Sequence, residues 1–153
     1  MKLTILAVGR VKRSPERELF DDYIGRATKA GLSLGFRAIE EVELESGGGV
    51  QREGERILAK LPQGAQIIRL DERGKTMRSE RFAGLLERTR DDGRDMCFLI
   101  GGADGYSEAV KALQGQTLSL GDFTWPHKLA RVMLAEQIYR AISILAGSPY
   151  HKD

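Results

Sequence analysis

The stretch Met96-Cys97-Phe98-Leu99-Ile100-Gly101-Gly102-Ala103-Asp104-Gly105-Tyr106 decides the fold. Its apolar residues run without alternation, and glycine then recurs at 101, 102 and 105. An unalternating run bounded by turn residues predicts a strand buried on both faces, as in a parallel sheet covered by helices. Glycines at its carboxyl end let the backbone turn sharply and come close to a ligand. Open α/β sheets bind their ligands at that end of the strands. A second stretch, Ser119-Leu120-Gly121-Asp122-Phe123-Thr124-Trp125-Pro126-His127, leads into a long helix. The two loops together predict one small-molecule pocket.

Working outward, Lys2 to Val8 predicts a first strand. A helix follows over Pro15 to Lys29, with Ser14 as N-cap, Pro15 at its first position, Glu16 and Glu18 in its first turn, and Gly31 as its terminator. Arg37 to Leu44 has the mixed pattern of an edge strand. Val50 to Leu61 predicts an amphipathic helix with Ile57, Leu58 and Leu61 on its apolar side, stopped by Pro62. Ala65 to Leu70 is a third strand. Ser79 is the expected cap of a helix carrying Phe82, Leu85 and Leu86 on one face. Ala109 to Leu113 is a short helix and Gln116 to Leu120 a fifth strand. Pro126 opens a last helix to about Ala146, apolar on several sides, which predicts burial on several sides and a packing partner in a second subunit. Strands alternating with helices give an α/β fold, a mostly parallel sheet with helices on both faces, in a single domain over residues 1–153.

Apolar content of 41% and charged content of 30% fit a globular protein, and no apolar run reaches membrane-span length, so no membrane partner is expected. The amino-terminal apolar run is too short for a leader and reads as a strand. The lone Cys97 predicts no disulfide framework, a cytoplasmic setting and a buried core thiol. The two histidines and one cysteine show no metal-ligand spacing. A net charge of +2 permits an RNA partner without arguing for one, although Arg10, Lys12 and Arg13 cluster, as do His151 and Lys152.

The glycine-rich loop is not a dinucleotide fingerprint, because Ile100 stands where the first glycine is required and the loop follows the fourth strand. No phosphate-binding G-K-S/T and no G-x-S-x-G elbow occurs. Asp71, after the third strand, reads either as a ligand acceptor or as a solvated turn residue. His127 reads as a proton-transfer group or an exposed helix-start residue, and Tyr150-His151 as an RNA contact or a disordered end. Glu136 and Arg140 are spaced for an ordinary helical ion pair.

Leu3–Gly9 (LTILAVG), Leu99–Gly105 (LIGGADG), Ser119-Leu120, Pro126-His127, Leu134–Ala141 (LAEQIYRA) and Pro149–Lys152 (PYHK) together resemble the RlmH family, over essentially the whole chain. The resemblance implies a SPOUT-class methyltransferase, homodimeric, with a carboxyl-terminal trefoil knot. The implied reaction is S-adenosylmethionine-dependent methylation of N3 of pseudouridine 1915 in 23S rRNA, with the assembled ribosome as the expected substrate. By position, the methyl donor would contact Leu70, Gly102, Gly121, Asp122, Phe123, Thr124, Trp125 and Pro126. Tyr150, His151 and Lys152 would help bind RNA, with Lys152 in place of the family's usual arginine. Methyl transfer to an imide nitrogen requires loss of its proton, so a base or an anion stabiliser is expected. His127, His151 and Arg140 are the catalytic candidates, Arg140 only as a stabiliser. A SPOUT enzyme for another RNA site and a non-catalytic ribosome-binding protein are the other readings.

Overall fold

The computed structural model describes residues 1–152. Five parallel strands form one sheet: β1 (Lys2–Val8), β2 (Ala38–Leu44), β3 (Gln66–Leu70), β4 (Met96–Ile100) and β5 (Gln116–Leu118), in the order β2-β1-β4-β3-β5. The helices are α1 (Pro15–Gly31), α2 (Val50–Lys60), α3 (Ser79–Asp91), α4 (Glu108–Lys111) and α5 (His127–Leu145). With right-handed crossovers, this order sends α1 and α3 to one face and α2 and α4 to the other.

The core divides accordingly. Met96, Phe98 and Ile100 of β4 join Phe20, Phe82, Leu86 and the buried side of α5. Cys97 and Leu99, pointing the other way, join Ile57, Tyr106 and Val110. Every side chain of β4 is therefore buried, which is why its sequence does not alternate. Burial pushes the Cys97 thiol up to about 12, so it stays protonated. β2 is an edge, as its mixed pattern predicts, and its exposed side carries Glu40.

α5 lies against both α1 and α3. Val132, Leu134, Ala135, Ile138, Ala141 and Ile142 are buried within the chain itself. Most of the helix's wide apolar surface is thus accounted for by its own core, with Leu129 left 37% exposed.

Several local expectations are corrected. Gly31 is the last residue of α1 and not its terminator. The chain continues through a 3-10 turn, Leu32–Leu34, and stops at Gly35, whose φ of 88° is the left-handed conformation. Gly31 is needed instead because Phe36 folds back on it, leaving no room for a Cβ. Ser79 does not cap α3. Arg78 takes that position, and the Ser79 hydroxyl donates to Gln137 Oε1 of α5 at 2.8 Å. On α2 the buried residues are Glu53, Gly54 and Ile57, whereas Leu58 is exposed. β5 ends at Leu118, two residues short of the expected Leu120, because Ser119 turns away to bond Lys75 and Glu72. The short helix α4 begins one residue early, capped by the Ser107 hydroxyl.

Candidate functional site

Because β3 pairs with both β4 and β5, Leu70, Ile100 and Leu118 end side by side. The loops that follow enclose a cavity of about 610 Å³. Leu70, Ile100, Leu118 and Leu120 supply apolar wall, and Gly101, Gly102, Gly105 and Gly121 supply bare backbone. Asp71, Glu72 and Asp104 bring carboxylates, Arg73 and Lys111 bring cations, and Phe123, Trp125 and His127 also line it. The volume and the apolar wall with a few polar groups are those of a small-molecule site.

Gly101 and Gly102 are steric requirements, whereas Gly105 and Gly121 take left-handed backbone, with φ of 79° and 127°. A Cβ on Gly101 would come within 3.0 Å of the Tyr106 ring. One on Gly102 would come within 2.8 Å of Glu53 Oε1, a carboxylate that is buried behind the loop and accepts the Gly47 N–H. Tyr106 ties the strand ends together: its hydroxyl lies 2.8 Å from both Leu70 O and Leu99 O and accepts the Gly101 N–H at 3.2 Å. One hydroxyl proton serves the two carbonyls in turn. Burial pushes the Tyr106 phenol well above its ordinary value, which keeps that proton in place.

The loop from 119 to 126 is anchored to the loop after β3. Asp71 N donates to Leu118 O, Ser119 N to Lys75 O, and the Ser119 hydroxyl to Glu72 O. Phe123 and Trp125 pack edge to face, centroids 5.9 Å apart, yet Phe123 remains 77% exposed. A large aromatic left this open at a cavity rim is an unsatisfied apolar surface.

His127, the first residue of α5, places Nε2 2.6 Å from Gly101 O. A carbonyl only accepts, so Nε2 carries the proton and Nδ1 keeps its lone pair. Burial, with Arg131 one turn on, lowers the imidazole pKa and favours the neutral ring.

Of the expected donor contacts, Leu70, Gly102, Gly121, Phe123 and Trp125 line the cavity. Asp122, Thr124 and Pro126 share the loop without forming its wall. Thr124 instead donates to Glu72 at 3.4 Å, and Pro126 caps α5. Asp71 does both things open to it, since it lines the cavity and its Oδ1 also accepts the Arg73 N–H in a turn. Tyr106, the last residue of the stretch that decides the fold, and Glu53 carry no sequence signal of these roles, which arise only where the strand ends and the loop meet.

The three catalytic candidates do not share one site: Arg140 and His151 touch each other, and His127 stands apart from both. Arg140 lies roughly 20 Å further along α5 than His127. Arg140 donates to Glu136 Oε1 at 2.9 and 2.6 Å, so the helical ion pair is real, and this bond raises its pKa further. The tail is docked here. Tyr150 donates to the same Glu136 oxygen at 3.0 Å and packs on Tyr139, centroids 4.6 Å apart. Its ring sits under the Arg140 guanidinium. His151 bridges Arg140 and Glu80, at 3.1 and 3.0 Å. Lys152 is exposed beyond it.

Among the described residues no group of three metal-ligating side chains gathers, and no helix is long and apolar enough to cross a membrane.

A family model described as predicted SPOUT methyltransferase matches residues 1–151. Proteins called Ribosomal RNA large subunit methyltransferase H are similar over their full length. That of Hyphomonas neptunium is 61% identical, with 99% of each chain covered. That of Dinoroseobacter shibae is 52% identical, again over 99% of each. That of Phenylobacterium zucineum is 52% identical over the whole of both chains. A distant solved structure, the SpoU methyltransferase AviRb of Streptomyces viridochromogenes in complex with AdoMet, matches at 18% identity and a TM-score of 0.43. It covers 95% of this chain, which spans 58% of that protein's length. With the family model and the full-length relatives in agreement, the chain belongs to the SPOUT methyltransferases.

Proposed function

We propose that this chain methylates N3 of pseudouridine 1915 in 23S rRNA on the assembled ribosome, using S-adenosylmethionine held in the 610 Å³ cavity. The observation that carries the reading is that cavity, with His127 on its wall, in a chain 61% identical to a named large-subunit rRNA methyltransferase.

The residues fit such a donor. Gly101, Gly102, Gly105 and Gly121 leave bare backbone on the cavity wall, open to a ligand's close approach. Phe123 and Trp125 offer aromatic surface for a purine, and Asp71 and Asp104 offer acceptors for an amine or ribose hydroxyls. When bound, the donor supplies a methyl group on a positively charged sulfur that leaves as a neutral thioether. Asp71, Glu72 and Asp104 on the lining outnumber the cations Arg73 and Lys111 there by one charge, a balance that leans toward that positive charge. The chain's main contribution is position. His127 accepts the N3 proton of the base at Nδ1, while its Nε2–H stays on Gly101 O.

Arg140, too far along α5 to reach the same reacting base, and His151, docked on it from the tail, would act on that base from a second copy of the chain or hold RNA phosphate with Tyr150 and Lys152. This separation supports the homodimer, as do the exposed Leu19 and Leu129 on α1 and α5. The trefoil knot would be tied where the 119–126 loop bonds the loop after β3.

The test is transfer of a labelled methyl group to ribosomes carrying pseudouridine or uridine at the target. Transfer to the pseudouridine particle alone, and better than to free 23S rRNA, supports the reading. Indifference to the replacement points to another RNA site, and ribosome binding without transfer points to a non-catalytic protein.

A further inference from the structure

We propose that the segment Gly9–Ser14 is a pre-set grip for the phosphodiester backbone of RNA, with Arg10, Lys12 and Arg13 as its contacts. The proposal rests on the RNA-modifying reading above and adds a surface beyond the cavity lining, at the end of β1.

Its position follows from the sheet. Ala7 pairs with Ile100, so β1 leaves the sheet beside the glycine-rich loop, on the side away from β3 and β5. Arg131 of α5, one turn after His127, donates to Gly9 O at 3.2 Å. The segment therefore starts next to the side of the cavity that holds His127.

Its backbone is pinned while its charged side chains are not. Val11 is buried, its N–H donates to Glu43 Oε2 at 2.7 Å, and its carbonyl accepts Arg17 Nε at 2.9 Å. The Ser14 hydroxyl donates to Lys12 O at 2.8 Å and caps α1. Arg10, Lys12 and Arg13 are exposed, and among the described residues none has a hydrogen bond or ion pair from its side chain.

Beneath the segment, the carboxylates of Glu41 and Glu43 are already occupied. Glu41 and Glu43 each accept from both Arg17 and Arg131. Two guanidiniums neutralise these two carboxylates, so Glu41 and Glu43 do not offset the three cations above, and the other acidic neighbours, Glu16 and Glu18, lie in the first turn of α1 with no ion pair to them among the described residues. Arg131 is only 2% exposed and its Nε has no partner, a costly burial that a solvent-filled loop would not require. The result is a loop whose shape is fixed before binding, which reduces the ordering cost of an anionic ligand. Phosphate suits it, since two of the three contacts are arginine forks.

The test uses the intact protein carrying Arg10→Gln, Lys12→Gln and Arg13→Gln together. A control carries Lys29→Gln, Lys60→Gln and Arg88→Gln, three exposed cations near the carboxyl ends of α1, α2 and α3, at the opposite end of the sheet. Binding to 23S rRNA is measured across a salt series, and S-adenosylmethionine binding by calorimetry. The grip predicts that the slope of log affinity against log salt shrinks by about 2 in the first variant. The control slope stays near that of the wild type, and donor binding is unchanged in both. An unaltered slope in the first variant, or an equal loss in the control, overturns the grip. A reduced slope in a protein that transfers no methyl group to ribosomes would sink the enzymatic reading and leave the grip standing.

Discussion

Nε2 of His127 lies 2.6 Å from the carbonyl oxygen of Gly101, joining the first residue of α5 to the first residue of the glycine-rich loop. This contact fixes the tautomer and turns Nδ1 into the ring's only acceptor. It also couples a candidate base to the wall of the glycine-lined cavity.

A pH profile follows from it. The folded pKa of His127 is lowered from the ordinary 6.5, so the ring is neutral at and above neutrality. Methyl transfer is expected to be full there and to fall as pH drops through the lowered value. His127→Ala should reduce kcat by about 10²–10⁴-fold and abolish that acid limb, with donor affinity retained. The unfolded chain binds this proton more readily, so the histidine's effect on stability has the same sign. It favours the fold above pH 6.5 and disfavours it as pH falls. Wild-type kinetics across the acid range, compared with the variant, check the assignment; an unchanged kcat in the variant would remove His127 as the base.

Tyr106→Phe should destabilise the chain by about 1–3 kcal/mol, because it strips a partner from two strand-end carbonyls and the Gly101 N–H. Denaturant unfolding gives the value. A variant as stable as the wild type would mean that the hydroxyl is replaced by water.

The tail is held by Tyr150 to Glu136, by the Arg140 guanidinium over the Tyr150 ring, and by His151 between Arg140 and Glu80. Tyr150→Ala is expected to release residues after Ser148 to protease and to raise KM for the ribosomal substrate, with donor affinity unaffected. Protection equal to the wild type would show that His151 alone secures the end.

Much of this was legible in the sequence for a simple physical reason. β4 is covered on both faces, so Met96–Ile100 lacks alternation, and the glycines after it mark the cavity wall. Other features exist only once the chain is folded. The strand order cannot be read from periodicity. Glu41, Glu43, Arg17 and Arg131 look like unrelated surface charges until tertiary packing brings them together. Tyr106 carries no motif, and its role depends on two strand ends meeting. Ser79 has the right residue type for a cap, but Gln137 competes for its hydroxyl. The tail residues would be disordered on composition alone, and their order comes from the Glu136–Arg140 pair lying ready on α5.

The most direct measurement is calorimetric titration of the chain with S-adenosylmethionine, repeated on Gly102→Val. The new side chain would meet Glu53 Oε1, 2.8 Å from the position of its Cβ, and push into the loop that shapes the cavity. Saturable binding by the wild type, lost in a variant that still unfolds cooperatively, is the result this account predicts. Equal binding by both, or none by the wild type even in the presence of ribosomes, would contradict it.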